Sequence, residues 1–299
     1  MSNTSCFERR CCGRCFTEHD LRIIREIIAA PERHPNRAAI ARAVCEALAW
    51  NRPDGRPKEM SARVALLRMH RDGLITLPPP LHGNSNGKCR PRISSASDPR
   101  QPVVGTRSDL GVLRLRPVAN RRDSRLWNEL IERYHYLGFV PLPGAQIRYL
   151  IEGDGLVLGA LGMGAAAWKV ACRDGFIGWT PAQRQARLHL VVNNARFLIL
   201  PWVQVKNLAS SVLGLLARQV TADWEQLYGF RPVLLETFVE RERFRGTCYQ
   251  AANWRRVGCT QGRGKLDRHH RRALPVKDVY LYPLRQDFRR VLAGEEAAT

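Results

Sequence analysis

The stretch that decides the fold runs from residue 193 to residue 239 and reads NNARFLILPWVQVKNLASSVLGLLARQVTADWEQLYGFRPVLLETFV. Its two ends, 193–200 and 233–239, are short apolar runs rich in β-forming residues, which is typical of buried strands. Between them, apolar residues recur at steps of three and four from Leu208 to Trp224, and this spacing predicts one amphipathic helix. Together the three pieces predict a strand–helix–strand unit.

The start of that helix is a candidate phosphate site. The first turn of a helix carries N–H groups without intrahelical partners, and the helix dipole places its positive end there. The same unit can also be a crossover connection that only holds a sheet together. The stretch alone leaves both interpretations open.

The charge of the chain favours a polyanionic partner. The 299 residues carry 48 Lys and Arg against 27 Asp and Glu, a net charge of +21 with a pI of about 10.5. Basic side chains that face phosphates release counterions, so we expect DNA as the partner, although an arginine-rich genome would also raise the charge. The apolar fraction of 44% is enough for a packed core, in one large domain or two ordinary ones.

The chain shows no secretory signal, and its longest uncharged apolar stretch, 155–168, is too short to cross a bilayer. With nine cysteines, an odd number, we expect reduced thiols and a cytoplasmic protein without a membrane partner. Cys6, Cys11, Cys12 and Cys15 have spacings that suit zinc, yet two of them are adjacent. The preferred interpretation is therefore a disordered, Cys-rich segment over 1–16.

A small helical domain is predicted over 17–80. Thr17 begins a capping-box pattern, helices follow over 36–50 and 58–71, and 73–77 resembles a short strand. Three helices and a strand are the outline of a winged helix-turn-helix, in which the third helix enters the major groove. Its outward bases Lys58, Arg63 and Arg68 are candidate DNA contacts; a protein-interaction module is the alternative.

The remainder divides into a linker, a second domain and a short tail. Residues 81–109 are rich in Pro, Ser, Gly and Arg with little periodicity, so we expect a flexible linker, and residues 293–299 are expected to be a disordered tail. Residues 110–292 alternate strand and helix patterns, with a hairpin signal at Gly153-Asp154-Gly155. This predicts a mixed α/β sheet domain.

The order of elements in that domain resembles the acetyltransferase fold of the GNAT superfamily. In that fold a strand leads into a helix that opens with Gln/Arg-x-x-Gly-x-Gly/Ala and holds a pyrophosphate, and Gln204-Val205-Lys206-Asn207-Leu208-Ala209 stands in that place. The resemblance implies an acyl-CoA-like donor bound by Gln204, Lys206, Asn207 and Ala209. It also implies that Tyr249, after the next strand, acts as a general acid.

The whole chain resembles the DruA family. The resemblance is carried by the winged-helix-like start and by the segments YHYLG at 134–138, RDGFIGW at 173–179, NNARFL at 193–198 and GTCYQAANW at 246–254. The family is named from Druantia anti-phage defence systems, and related domains accompany transposases. The resemblance implies a prokaryotic, DNA-directed protein whose partners are other defence or transposition proteins.

Three residues are candidate catalytic groups. Glu236 interrupts an apolar strand, so we expect it to be buried with a raised pKa, and we pair it with Tyr249 for proton transfer. His135 ends a helix beside two tyrosines and is a candidate base; a structural histidine is the alternative. Metal-dependent nuclease chemistry would require carboxylates such as Asp174, Glu236 and Glu240 to meet, although no paired spacing indicates this.

Further nucleic-acid contacts are expected in the second domain. Asn194 and Arg196 could hydrogen-bond to base edges or to an acyl carbonyl, or only cap a strand edge. Arg173 is a candidate nucleic-acid contact, with an ion pair or a sharp turn with Asp174 as the alternative. Trp254 could stack on an unpaired base. The densest basic run, 263–272, predicts a loop that binds phosphates, with a solvated surface loop as the alternative. Its candidate phosphate contacts are Arg263, Lys265, Arg268 and Arg271.

These expectations give one preferred function and two alternatives. The preferred one is a DNA-binding protein of an anti-phage defence system or mobile element that modifies DNA by group transfer from a GNAT-like site. The alternatives are a non-catalytic DNA-binding subunit that recruits other proteins, and a metal-dependent nuclease.

Overall fold

The computed structural model describes residues 9–53, 55–81, 90–262 and 274–295. The chain forms two compact units, Met1–Asn86 and Gly87–Thr299. Arg263, Lys265, Arg268, Arg271 and Cys6, which the sequence analysis singled out, lie outside the described residues.

The smaller unit is a hairpin followed by three helices. Its elements are β1 (Arg9–Cys11), β2 (Arg14–Phe16), α1 (Glu18–Ile28), α2 (Arg37–Ala47) and α3 (Glu59–Arg71). Thr17 is the N-cap of α1, and its side chain and that of Asp20 form the reciprocal capping box that the sequence predicts. The core contains Phe16, Leu21, Ile24, Ile40, Val44, Leu66 and Met69.

Two expectations for this unit differ from the structure. Residues 9–16, expected to be disordered, form a hairpin that buries Cys11 and Phe16 in the core. Residues 73–77, expected to be a strand, have no strand pairing among the described residues, although Ile75 and Leu77 are buried. The strands therefore precede the helices, and the winged-helix arrangement is not confirmed.

The larger unit contains a seven-stranded mixed sheet. Its elements are β3 (Val103–Gly105), β4 (Arg114–Pro117), α4 (Arg121–Tyr134), β5 (Gln146–Gly153), β6 (Leu156–Ala165), α5 (Ala171–Ile177), α6 (Pro181–Arg187), β7 (Val191–Ile199), β8 (Val203–Val205), α7 (Leu208–Tyr228), β9 (Leu234–Glu240), α8 (Thr247–Ala251), β10 (Arg255–Cys259), β11 (Lys277–Pro283) and α9 (Phe288–Ala293). The strand order is β10-β11-β9-β7-β6-β5-β4, with β7 and β9 parallel and the other neighbours antiparallel.

The strand–helix–strand unit and the hairpin are confirmed. The run 208–228 is the helix α7 between the parallel strands β7 and β9. Asp154 and Gly155, at φ 50° and 70°, make the tight turn between β5 and β6, and two positive φ angles are what a two-residue hairpin turn of this hand needs.

Each face of the sheet is covered by its own core. Along β9, Leu234 belongs to the core with α5 and α9, whereas Leu235 belongs to the core with α4, α7 and α8. This alternation follows from the two-residue period of a strand. The alternation decides which of the two cores each polar side chain of β9 faces.

The segment expected as a flexible linker, 81–109, is structured in its second part. Ser94 donates from its N–H and its hydroxyl to the Glu129 carboxylate on α4, at 2.9 and 2.8 Å. Val103–Gly105 then pairs in parallel with β8. Residues 90–109 thus pack on the larger unit. In the described part of the chain, no helix is both long and apolar enough to cross a membrane.

Candidate functional site

The sheet of the larger unit opens between β7 and β9. The two strands pair from Val191 opposite Leu234 as far as Asn194 opposite Thr237. Beyond this point β7 continues beside β6 up to Ile199, and β9 continues beside β11 up to Glu240. The strands therefore separate at their carboxyl ends.

A cavity of about 590 Å³ lies at this fork. Its walls come from the end of α4, from β7 and β9, from the turn before α8 and from the start of β11. They include Tyr134, His135, Tyr136, Asn193, Asn194, Arg196, Phe197, Thr237, Phe244, Arg245, Tyr249 and Lys277. Three cations and a histidine are present, and the described lining residues include no carboxylate. The volume is in the range of small-ligand sites.

Tyr249 lies in the wall where the strands part. Its hydroxyl donates to Asn194 Oδ1 at 2.7 Å and accepts from Thr237 Oγ1 at 3.4 Å. Burial raises the pKa of Tyr249 above its ordinary value, since the phenolate would be desolvated. The hydroxyl is therefore protonated at neutral pH and has a proton to donate.

Asn194, expected to contact bases, is buried and engaged within the protein. Besides accepting from Tyr249, its Nδ2 donates to the carbonyl oxygen of Arg196 at 3.1 Å. A β-bulge accompanies this contact, since Gly162 pairs with Arg196 and Met163 with Asn194. Asn194 shapes the wall and orients Tyr249. Its amide oxygen and nitrogen both form hydrogen bonds within the protein, so they are not free to bind a base.

Arg196 lines the cavity and is half-buried. Its Nη1 donates to the Ala195 carbonyl at 2.7 Å, while its buried Nε has no hydrogen-bond partner among the described residues. Burial lowers the pKa of Arg196. A half-buried guanidinium with an unpartnered N–H is well suited to bind an anion.

His135 follows α4 and is neutral at physiological pH. Its Nδ1 accepts from the N–H of Leu137 at 3.2 Å, and its ring stacks on Tyr136 with centroids 4.9 Å apart. Burial, together with the nearby positive charges of Arg196 and Lys277, lowers the pKa of His135 to about 4. The ring is therefore neutral and a weak base, and because Nδ1 accepts from Leu137, its own proton lies on Nε2.

Glu236 lies away from Tyr249, so the structure does not form the predicted acid–base pair. The carboxylate is fully buried, accepting from Arg173 Nη1 at 2.7 Å and from the N–H of Ala167 at 2.8 Å. Burial raises the pKa of Glu236, as expected, whereas both donors favour its ionised form. The alternation of β9 places Glu236 against α5 and its neighbour Thr237 against Tyr249.

Arg173 is fully buried too, so it does not form the predicted nucleic-acid contact. Its guanidinium also donates to Asp174 Oδ1 at 3.0 and 2.8 Å, and Asp174 accepts from Arg184 at 3.1 Å. All three carboxylates considered for a nuclease pair with arginines, Glu240 with Arg243 at 2.8 Å. In the described part of the chain, no three His, Cys, Asp or Glu side chains are grouped to hold a metal ion.

Trp254 cannot stack on a base, because it is only 3% exposed. Its ring packs edge-on against Tyr249, with centroids 5.2 Å apart, and tilted against Tyr282 at 5.8 Å. The residue supports the wall of the cavity from within the core.

The predicted phosphate site at the start of α7 is separate from the described walls of the cavity. Asn207 adopts a left-handed conformation at φ 60° before the helix, and among the described residues no side chain caps this end. Gln204, Lys206 and Asn207 are exposed, and Ala209 is partly buried. The left-handed turn fits a position where the related motif has glycine.

On α3 of the smaller unit, the three predicted basic contacts are spread along the helix. Lys58 is the N-cap residue and is partly buried, while Arg63 and Arg68 are exposed. Arg63 Nη2 lies 3.5 Å from the Glu59 carboxylate, which offsets part of its charge.

Sequence reasoning missed four residues of the cavity: Thr237, Phe244, Arg245 and Lys277. Thr237 is an ordinary strand residue, and Lys277 reaches the fork only because β11 pairs with β9. No local pattern marks either of them. Phe244 is a large apolar residue between Arg243 and Arg245, and this signal could have been recognised.

The mixed sheet, the parallel pair β7–β9 with its helix, and the fork between them define a GNAT-like α/β protein. Residues 69–274 match the family described as Druantia protein DruA, so the chain belongs to the DruA family. The comparison with curated proteins gave no match.

Similar solved structures are acetyltransferases. A spermidine N-acetyltransferase SpeG chimera from Vibrio cholerae and hSSAT shares 12% identity over 57% of this chain and 95% of that chain, at a TM-score of 0.39. An aminoglycoside acetyltransferase AAC(6')-Ib in complex with coenzyme A shares 16% identity over 60% of this chain and 98% of that chain, at a TM-score of 0.40. Mycobacterium smegmatis RimJ in complex with CoA-disulfide shares 18% identity over 62% of this chain and 91% of that chain, at a TM-score of 0.38.

Proposed function

We propose that this DruA protein binds DNA within an anti-phage defence system and modifies it by group transfer at the fork between β7 and β9. The observation that carries the proposal is the wall of the cavity, which Arg196, Arg245 and Lys277 line together with Tyr249. The described lining contains no carboxylate to offset the three cations.

This distribution of charge supports a nucleic acid as the substrate. Cations in a concave site with low-dielectric walls focus a positive potential, which raises the local concentration of an anionic ligand. Arg196 is half-buried, so salt screens its charge less than that of an exposed arginine. The net charge of +21 adds attraction over the whole chain.

The side chains at the fork can move protons in a transfer reaction. Tyr249 can give a proton to a leaving group, and neutral His135, with its proton on Nε2, can position the attacking group by a hydrogen bond. An acyl-CoA-like donor would supply the activated acyl group. Gln204, Lys206, Asn207 and Ala209, at the uncapped start of α7, would hold its phosphates.

DNA binding is tested by removing the cavity charges. We expect Arg196→Gln with Lys277→Gln to weaken binding of a DNA duplex and to reduce the slope of log K against log salt by about 2, or about 1 for each lost phosphate contact. The matched control is Arg125→Gln with Arg218→Gln, which removes the same charge from exposed helix positions outside the cavity. Equal slopes for the two double variants would overturn the proposed site.

Group transfer is tested by mass analysis of nucleosides from DNA incubated with the protein and an acyl-CoA. We expect a modified nucleoside with the wild type and a loss of about 10²–10⁴ in rate with Tyr249→Phe, as for removal of a general acid. Tyr280→Phe is the control, because its hydroxyl accepts from Gln250 at 3.0 Å in the same aromatic cluster. Full defence by Tyr249→Phe with intact DNA binding would instead support a recruiting subunit, whose binding needs no proton donor.

The smaller unit gives DNA a second place to bind. Arg63 and Arg68 are exposed on α3, and Lys58 stands at its start. Neutralising both arginines should weaken binding to all sequences alike if they contact phosphates. Unchanged affinity at low salt would remove the smaller unit from the proposal.

A further inference from the structure

We infer that the cavity at the fork takes one unpaired nucleotide of a DNA strand, with its phosphate on the cations and its base against the exposed ring of Phe244. The inference rests on the proposed DNA binding and specifies the form of DNA that the site accepts. It draws on the chemistry of two groups of side chains in the cavity wall.

The first group binds the phosphate. Arg196 brings a buried Nε–H without a hydrogen-bond partner among the described residues, and Arg245 and Lys277 add two more positive charges. Arginine binds phosphate oxygens through two parallel N–H donors, which holds the group in a defined orientation. His135 lines the same cavity as Arg196, and the charge of Arg196 contributes with burial to the lowered pKa of His135.

The second group offers a surface for a base. Tyr136 and Phe244 pack edge to face with centroids 5.2 Å apart. The ring of His135 stacks on Tyr136 and the guanidinium of Arg243 lies over it at 5.5 Å, so Phe244 is the ring that can take a base. Phe244 is 47% exposed although it lies between two arginines of a polar turn. An exposed aromatic ring at the edge of a positive cavity is the arrangement with which proteins stack unpaired bases.

The two groups lie in the wall of one cavity. Positive charge and aromatic surface together match the phosphate and the base of a nucleotide.

The size of the cavity excludes a base pair in its stacked form. A volume of about 590 Å³ suits a ligand of nucleotide size, whereas a duplex presents its bases inside the stack. A paired base must leave the helix to enter, at a cost of a few kcal/mol, which an already unpaired nucleotide avoids. The site should therefore distinguish DNA with an unpaired nucleotide from fully paired DNA.

The test compares the affinity for a fully paired duplex with that for the same duplex carrying one bulged adenine. We expect the wild type to prefer the bulged duplex about tenfold, the ratio that about 1.4 kcal/mol gives. Phe244→Ala should reduce this ratio to about one and leave the affinity for paired DNA within about twofold. Trp168→Ala is the matched control, since this ring is 52% exposed outside the cavity, and its ratio should stay at the wild-type value.

Coenzyme A carries the same chemistry, a purine with phosphates, so it is added as a competitor in the same assay. Two results together would assign the cavity to the cofactor and overturn the inference. The first is that coenzyme A abolishes the preference of the wild type for the bulged duplex, and the second is that this preference persists in Phe244→Ala without the competitor. Equal affinity of the wild type for both duplexes would overturn it while the proposed DNA binding stands. Failure to bind either duplex at low salt would refute the proposed function as well.

Discussion

Glu236→Gln is a perturbation whose effect follows directly from the contacts of one buried carboxylate. The wild-type side chain is fully buried and pairs with Arg173, which is fully buried as well, at 2.7 Å. Glutamine has the same shape and keeps an acceptor for one of the two donors, but it removes the negative charge. Arg173 retains Asp174 and the carbonyl of Ala167, so it is left with one carboxylate instead of two.

Breaking a buried pair by removing one partner costs about 3–5 kcal/mol, because the remaining charge stays desolvated. Since Asp174 still compensates part of the charge, we place the loss at the lower end, about 3 kcal/mol. A domain of 150–250 residues loses about 2–4 °C in Tm per kcal/mol, so thermal unfolding followed by circular dichroism should shift by about 10 °C.

The control is Glu240→Gln, on the same strand. Its partner Arg243 has a side chain that is 58% exposed and can be solvated by water when the pair is lost. Such a pair contributes about 1 kcal/mol or less, so Tm should change by only a few degrees. If both variants unfold at the same temperature while Glu236→Gln abolishes DNA modification, Glu236 would be a catalytic group and the structural role assigned to it here would be refuted.

Three further perturbations test the walls of the cavity. His135→Gln should flatten the pH dependence of stability. The folded pKa of His135, about 4, lies below the ordinary 6.5, so between these two values the unfolded chain binds more protons than the folded one. The wild type therefore loses stability as pH falls through this window, by about 3 kcal/mol at most, and wild-type and variant Tm values that fall equally between pH 7 and pH 5 would contradict this. Gly246→Ala should cost about 2 kcal/mol in urea unfolding, because φ is +70° and the added Cβ would lie 2.5 Å from the hydroxyl of Tyr280; a neutral result would show that the turn adjusts. Trp254→Ala should lose about 3–5 kcal/mol of stability, and a Tm that stays unchanged while binding of unpaired bases is lost would restore its predicted stacking role.

The strand–helix–strand unit was predictable because periodicity carries the information. Six apolar positions on one side of a helix and two apolar runs beside it allow few other structures. The capping box at Thr17 was equally local, since two side chains three residues apart decide it.

The errors lie where a distant partner decides the structure. Residues 9–16 carry charged and polar side chains that are typical of a disordered start, yet Cys11 and Phe16 reach a core made by three later helices. Residues 90–109 lack periodicity, but Ser94 donates hydrogen bonds to the Glu129 carboxylate on α4, and Val103–Gly105 pairs with the strand β8. Neither contact leaves a signal in the local sequence.

The misassignment of Glu236 has the same origin, because its role is decided by Arg173 on α5 and not by its neighbours in β9. An isolated acid in an apolar strand requires a buried cation or a proton, and a chain with 48 Lys and Arg offers too many candidates for composition to choose among them. The alternation of β9 allows Tyr249 to meet either residue 236 or residue 237, according to which face α8 covers. Because α8 covers the face with Leu235, the hydroxyl meets Thr237, and the acid next to it pairs with Arg173 on the other side of the sheet. The more conspicuous residue thus stabilises the sheet, and the inconspicuous threonine lies where the strands part.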